Sequence, residues 1–182
     1  MRNLVNRPDW DGQHHARARA VLAAGLVGLG LLGFCAFDRQ RPLLIYNASA
    51  SAPIGFYRVL PVRPIRRGDL VLVRTPVSVR ALAARRGYLP ATVPLVKRIA
   101  ALSGDTVCAL HHVVRIDGQP GANQLIADHL GRPLPRWTGC HTLRPGEVFL
   151  LMAGVRDSFD SRYFGPVPTR TIIGRLVPLW LR

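Results

Sequence analysis

A serine hydroxyl becomes a useful nucleophile only when a base that is neutral at working pH lies within hydrogen-bond reach. The chain has six histidines, and none stands in a spacing that suggests a Ser-His-Asp arrangement. It has a single lysine. Lys97 lies between Pro94-Leu-Val96 and Ile99-Ala-Ala-Leu102, the most apolar stretch beyond the N-terminal region. Burial disfavours the ammonium form, so a lysine in this setting is either a side chain reaching along its stem to water or a buried amine able to act as a base. The matching nucleophile is Ser51, within Asn47-Ala-Ser49-Ala-Ser51-Ala-Pro53-Ile-Gly55-Phe-Tyr57. Pro53 and Gly55 restrict and bend the backbone just past it. Such a turn can present the hydroxyl and leave the Ser51 N–H free for an oxyanion. Alone, the segment also reads as a Ser/Ala-rich loop; Lys97 gives it a chemical reading.

These residues need a scaffold, and the pattern predicts a mostly β domain of short strands. Gly68-Asp69 turns into the strand Leu70–Val73, and residues 78–88 form a surface helix ending at Gly87. Val93 to Leu102 reads as a buried strand carrying Lys97. Val113 to Ile116 runs into the hairpin signal Asp117-Gly118. Residues 119–146, rich in Gly, Pro and polar side chains, read as a loop or flap. Val148 to Met152 and Thr171 to Leu181 supply late strands. No repeat is visible.

Ahead of this domain, Ala20 to Phe37 is an unbroken run of eighteen apolar or small residues. As a helix it would reach about 27 Å, close to the ~30 Å hydrocarbon core of a bilayer. It has no polar face, as a buried core helix would, and Phe34 stands where a signal-peptide cleavage site wants a small residue. Arg17 and Arg19 precede the run and Asp38 follows it, so the expected topology is a cytoplasmic segment 1–19, a transmembrane anchor 20–37 and an exported domain 38–182. Residues 38–46 then read as a linker. Cys108 and Cys140 form an even pair in the exported part, either bridged across a loop of about thirty residues or left as two buried thiols. The formal charge of +15 comes from arginines spread from Arg2 to Arg182 rather than gathered with aromatics, so no nucleic-acid partner is expected. His14–His15 and His111–His112 are adjacent pairs whose side chains would diverge on a strand. No metal site and no cofactor are expected.

The order of these blocks resembles the signal peptidase I family, and within it the TraF-type conjugal-transfer peptidases. Ser51-x-Pro53-x-Gly55-x-Tyr57 is similar to the TraF-type nucleophile block; general signal peptidases place their proline differently. Leu95-Val-Lys97-Arg98 through Gly104-Asp105-Thr-Val107 is similar to the family's lysine block. Ser158-Phe-Asp160-Ser161-Arg162-Tyr-Phe-Gly165 is similar to its final block, and Gly131-Arg-Pro-Leu-Pro135-x-Trp137-x-Gly139-Cys140 also resembles TraF-type sequences. The resemblance covers about residues 45–178 and implies a signal-peptidase-like fold of short antiparallel strands.

The resemblance further implies roles. Ser51 would be the nucleophile, Lys97 the general base, Ser49 an oxyanion donor and Ser158 a residue that orients the lysine. Asp160 and Arg162 would form a supporting ion pair, with Asp160 also a candidate for a catalytic role. It implies a membrane-anchored serine endopeptidase of the bacterial inner membrane, its catalytic domain in the periplasm, that processes and sometimes cyclises a conjugative pilin precursor for a type IV secretion apparatus. Its partners would be the pilin precursor or another exported pre-protein, the membrane and the conjugation machinery. The alternatives are a general signal peptidase and a catalytically inactive membrane-tethered assembly factor.

Overall fold

The computed structural model describes residues 10–37, 42–62 and 64–182, the side chains of residues 10–16 and 34–37 excepted. The chain divides into two units, Met1–Gln40 and Arg41–Arg182. In the first, helix α1 spans Trp10–Phe37. Its large apolar side chains from Val21 to Leu32 are exposed, among them Leu22, Leu26, Leu29 and Leu32. Among the described residues no helix is long and apolar enough to cross a membrane. The last residues of the expected anchor, Cys35 included, lie outside the described side chains. Residues 1–9 of the expected cytoplasmic segment and residues 38–41 lie outside the described residues altogether.

The second unit opens with the hairpin β1 (Leu44–Asn47) and β2 (Gly55–Leu60), so the expected linker 38–46 ends in a strand. β3 (Leu70–Val73) follows, then α2 (Val77–Arg85), β4 (Leu95–Ala101), β5 (Thr106–Leu110) and β6 (Val113–Ile116). Next come β7 (Gln119–Asn123), β8 (Gly139–Thr142), β9 (Glu147–Leu150), the short helix α3 (Ser161–Phe164), β10 (Val167–Pro168) and β11 (Ile172–Leu181). Seven strands form one sheet in the order β1-β2-β11-β3-β4-β9-β10, and four form another in the order β7-β6-β5-β8. Every pairing is antiparallel.

The central strand explains the larger sheet. Leu70-Val-Leu-Val73 is apolar throughout because both of its faces are covered. Leu70 and Leu72 join Tyr57, Val59, Val96, Met152 and Leu176 in one apolar cluster. Val71 and Val73 join Ile99, Val148, Leu150 and Ile172 in another. β4 lies between β3 and β9, with Lys97 opposite Val71. The side chain that carries charge is therefore fixed in the middle of the sheet.

Two expectations change. Residues 119–146 are not all loop, since they contain β7 and β8. β7, Gln-Pro-Gly-Ala-Asn, is a poor strand former but sits at a sheet edge, where proline is tolerated. β8 lies against β5 with Cys140 directly opposite Cys108, and the two are joined in a disulfide. His111 and His112 do not stand on a strand. Both take positive φ, 49° and 67°, in the tight turn between β5 and β6.

Candidate active site

The β1–β2 hairpin holds Ser51 because its turn is tied from inside. Asn47, at the end of β1 and 5% exposed, donates from Nδ2 to the carbonyls of Ser49, Ala52 and Pro53 at 3.0, 3.1 and 3.0 Å. Its Oδ1 accepts from the Ser49 N–H at 3.2 Å. The Tyr57 hydroxyl donates to the Pro53 carbonyl at 2.7 Å. Gly55 closes the turn at φ 154°, where a Cβ would stand 2.1 Å from the Trp180 carbonyl oxygen of β11. The Pro, Gly and Tyr of the nucleophile block are thus the residues that let two strands meet beneath an exposed turn. Nothing in the sequence around Asn47 marks it for this role, except that an amide stands at the mouth of a turn rich in carbonyls.

Lys97 is buried, at 3% exposure. Its Nζ lies 2.9 Å from the Ser51 Oγ and 2.8 Å from the Ser158 Oγ. Burial, the largest influence, lowers its pKa from the ordinary 10.5 to about 8. Asp160 opposes the shift, Arg162 adds to it and Asp157 opposes it. A tenth of the amine is then neutral near pH 7, by the usual tenfold change per pH unit. A neutral amine carries one lone pair, which can accept the Ser51 proton while an N–H remains on Ser158.

The other expected residues fall around this pair. Ser49 Oγ is 3.0 Å from Ser51 Oγ. The Ser51 N–H is not free, as the sequence suggested, but donates to Ser49 Oγ over a long 3.3 Å. Asp160 and Arg162 pair with each other, 0% and 1% exposed. The Asp160 oxygens accept from the Arg162 Nε at 2.8 Å and Nη2 at 3.0 Å, and from the Met152 N–H at 3.1 Å. Arg162 also donates to the carbonyls of Asn123, Met152, Val155 and Arg156. This network folds residues 152–160 into the loop that delivers Ser158 to Lys97. Asp160 acts on Lys97 through its charge. Of the histidines, His141 pairs with Glu147 at 2.8 Å.

A groove of about 720 Å³ runs past these groups. Ser49 and Ser51 line it together with Val96, Lys97 and Ser158, and so do Tyr88, Leu89, Leu125, Asp128 and Leu134. A hydroxyl, a buried amine and a groove with apolar walls suit attack on a carbonyl of an extended chain.

Comparison with known proteins agrees with that chemistry. Residues 15–180 match the profile of the family described as signal peptidase, peptidase S26. The chain belongs to this family. At family level it is therefore a serine peptidase, and its antiparallel sheets have the signal-peptidase-like fold. Relatives include a conjugal transfer protein TraF of Agrobacterium tumefaciens, 34% identical over 176 residues that cover 91% of this chain and 97% of the relative. A plasmid transfer protein TraF of Escherichia coli is 38% identical over 144 residues, 73% of this chain and 80% of that one. A probable conjugal transfer protein TraF of Sinorhizobium fredii is 35% identical over 138 residues, with coverage of 70% and 72%.

Proposed function

We propose that this S26 chain is a membrane-anchored serine endopeptidase in which Ser51 is the nucleophile and Lys97 the general base, and that it processes a conjugative pilin precursor. The observation that carries the reading is the buried Lys97 amine held between the Ser51 and Ser158 hydroxyls. Ser51 Oγ attacks the scissile carbonyl while its proton passes to the Lys97 amine. The developing oxyanion takes the Ser51 N–H and the Ser49 hydroxyl as donors, displacing the long contact between them. Lys97, now an ammonium, protonates the leaving amine. It then accepts a proton from the water that hydrolyses the acyl ester. Capture of the same ester by the amine of a substrate end would cyclise the product instead. Ser158 holds the amine in place through both steps, and Arg162 with Asp160 braces the loop that presents Ser158.

The exposed apolar side chains of α1 and the continuous run Ala20–Phe37 support an inner-membrane anchor, with the catalytic unit in the periplasm. The Cys108–Cys140 bridge supports an oxidising compartment. The names of the relatives, conjugal or plasmid transfer proteins TraF, support conjugation machinery as the setting, and the resemblance of the Ser51 block to TraF-type peptidases supports a pilin precursor as substrate.

The test is cleavage of a purified pilin precursor by the full chain in detergent. The wild type is expected to cleave at a rate that rises with pH through about 8, and Ser51→Ala to leave the precursor whole. Cleavage by purified Ser51→Ala sinks the assignment. A strain lacking the gene should lose pilus assembly but keep bulk secretion. Accumulation of many uncleaved exported proteins would favour a general signal peptidase.

A further inference from the structure

Between β7 and β8 the chain forms a finger. Ala127 bridges Pro133, and the Leu134 N–H donates to the Ile126 carbonyl at 2.9 Å. At its base, the Leu125 N–H donates to the Tyr163 hydroxyl at 3.1 Å, and Leu134 packs on the cluster around Phe159 and Tyr163. At its tip stands Asp128, its side chain 6% exposed. One carboxylate oxygen accepts the N–H groups of Leu130 and Arg132 at 3.0 and 2.9 Å. The other accepts from the Arg132 Nε at 2.7 Å and from the Tyr88 hydroxyl.

Tyr88 belongs to the turn after α2, and this turn reaches back. Arg86 donates to the Pro133 carbonyl at 2.7 Å, while Arg132 donates to the Arg86 carbonyl at 3.2 Å. The Arg132 guanidinium also lies 5.6 Å from the centre of the Tyr88 ring. Finger and turn are thus clasped by charge-assisted hydrogen bonds around one carboxylate. Both segments line the groove that contains Ser51 and Lys97, the turn through Tyr88 and Leu89, the finger through Leu125, Asp128 and Leu134. The chemistry proposed at Ser51 uses none of these residues.

We propose that Asp128 is a specificity-determining positioning residue: by clasping the finger to the Tyr88 turn it fixes the width of the groove, so that an extended substrate passes with small side chains and bulky ones are refused. The proposal rests on the reading of Ser51 and Lys97 as the catalytic pair. A wall held only by Leu134 and its apolar neighbours could yield to a larger side chain. A wall pinned through Asp128 by both flanking segments cannot do so without breaking several strong hydrogen bonds at once.

The test uses the full chain in detergent and peptides spanning a precursor cleavage site. Each position from five before the cut to three after carries alanine or phenylalanine in turn, and kcat and KM are measured separately. The wild type is expected to prefer alanine at one or more positions set back from the cut. In Asp128→Asn that preference should fall about tenfold, the size of a typical shape discrimination, mainly through a lower KM for the phenylalanine peptide. The preference at the residue next to the cut should remain. Tyr88→Phe, which removes one hydroxyl and keeps the ring, should relax the same position in the same direction and serves if Asp128→Asn does not fold. Unchanged preferences in a folded variant, an equal slowing of every peptide, or a wild type that accepts phenylalanine throughout would each overturn the proposal. Cleavage that persists in Ser51→Ala overturns the catalytic reading and this one with it, whereas Ser51-dependent cleavage with unchanged preference overturns the clasp alone.

Discussion

Replacing Lys97 by methionine should destroy activity without destabilising the fold, and the size of the effect can be worked from the site. A buried amine whose pKa falls from 10.5 to about 8 carries roughly 3 kcal/mol of unfavourable charge while it is protonated. Methionine has an unbranched stem of similar reach and removes that charge. It also leaves the Ser158 hydroxyl, 2% exposed, without its partner, at a cost of ~1–3 kcal/mol. At pH 7 the two effects nearly cancel, so the variant should be as stable as the wild type or up to ~2 kcal/mol more stable. The pH dependence separates them. The folded protein gives up the Lys97 proton near pH 8, whereas the unfolded chain holds it to 10.5. Between these values the unfolded state binds more protons, so wild-type stability rises with pH through that window and is level on either side. The variant lacks this contribution, and other titrating groups cancel in the comparison. Urea unfolding of both full-length proteins, followed by the fluorescence of the three tryptophans, should show the difference moving by ~3 kcal/mol in favour of the wild type from pH 7 to 10.5. A difference flat to within ~0.5 kcal/mol would refute the depressed amine and with it the proposed base.

Ser49→Ala removes one of the proposed oxyanion donors and should lower kcat by ~10²–10³ with little change in KM; an unaltered kcat would take Ser49 out of the chemistry. Asp160→Asn leaves Arg162 buried beside a neutral partner and should destabilise the protein by ~3–5 kcal/mol, measured as a lower urea midpoint; an inactive variant of wild-type stability would instead make Asp160 a catalytic group. Reduction of Cys108–Cys140, 32 residues apart, should cost ~3–4 kcal/mol on the loop-entropy account. Mass spectrometry of non-reduced peptides should find the two linked, and freely alkylated thiols would refute the bridge.

Parts of this candidate site could be read in the chain because each carries a signal in its own neighbours. The Ser51 turn shows itself in Pro53 and Gly55, and Lys97 is conspicuous as a charge inside a buried strand. β3 and the helix before Gly87 were legible for the same reason, from runs of one kind of residue with clear ends. What stayed hidden depends on partners distant in sequence. Asn47 acts by gathering carbonyls across a turn, which leaves no periodic trace. β7 is a strand because an edge accepts it, although Pro120 and Gly121 argue otherwise. The His111-His112 turn lacks the Asn-Gly or Asp-Gly signature of such hairpins. Tyr88 and Asp128 are forty residues apart, and only the fold shows that they share a groove.

All the side-chain cations of the chain except Lys97 and the histidines are arginines, and an arginine keeps its proton at any pH a protein survives. The protein thus carries many fixed charges and one side-chain ammonium that can be discharged under alkaline conditions. Isotopically labelled lysine supplied during growth would give a single ε-methylene resonance, from the residue lodged between Ser51 and Ser158, with no assignment to make. Its position would follow the ionisation of the proposed base directly, in the free enzyme, with a peptide in the groove, and in the Ser51→Ala protein where no turnover intervenes.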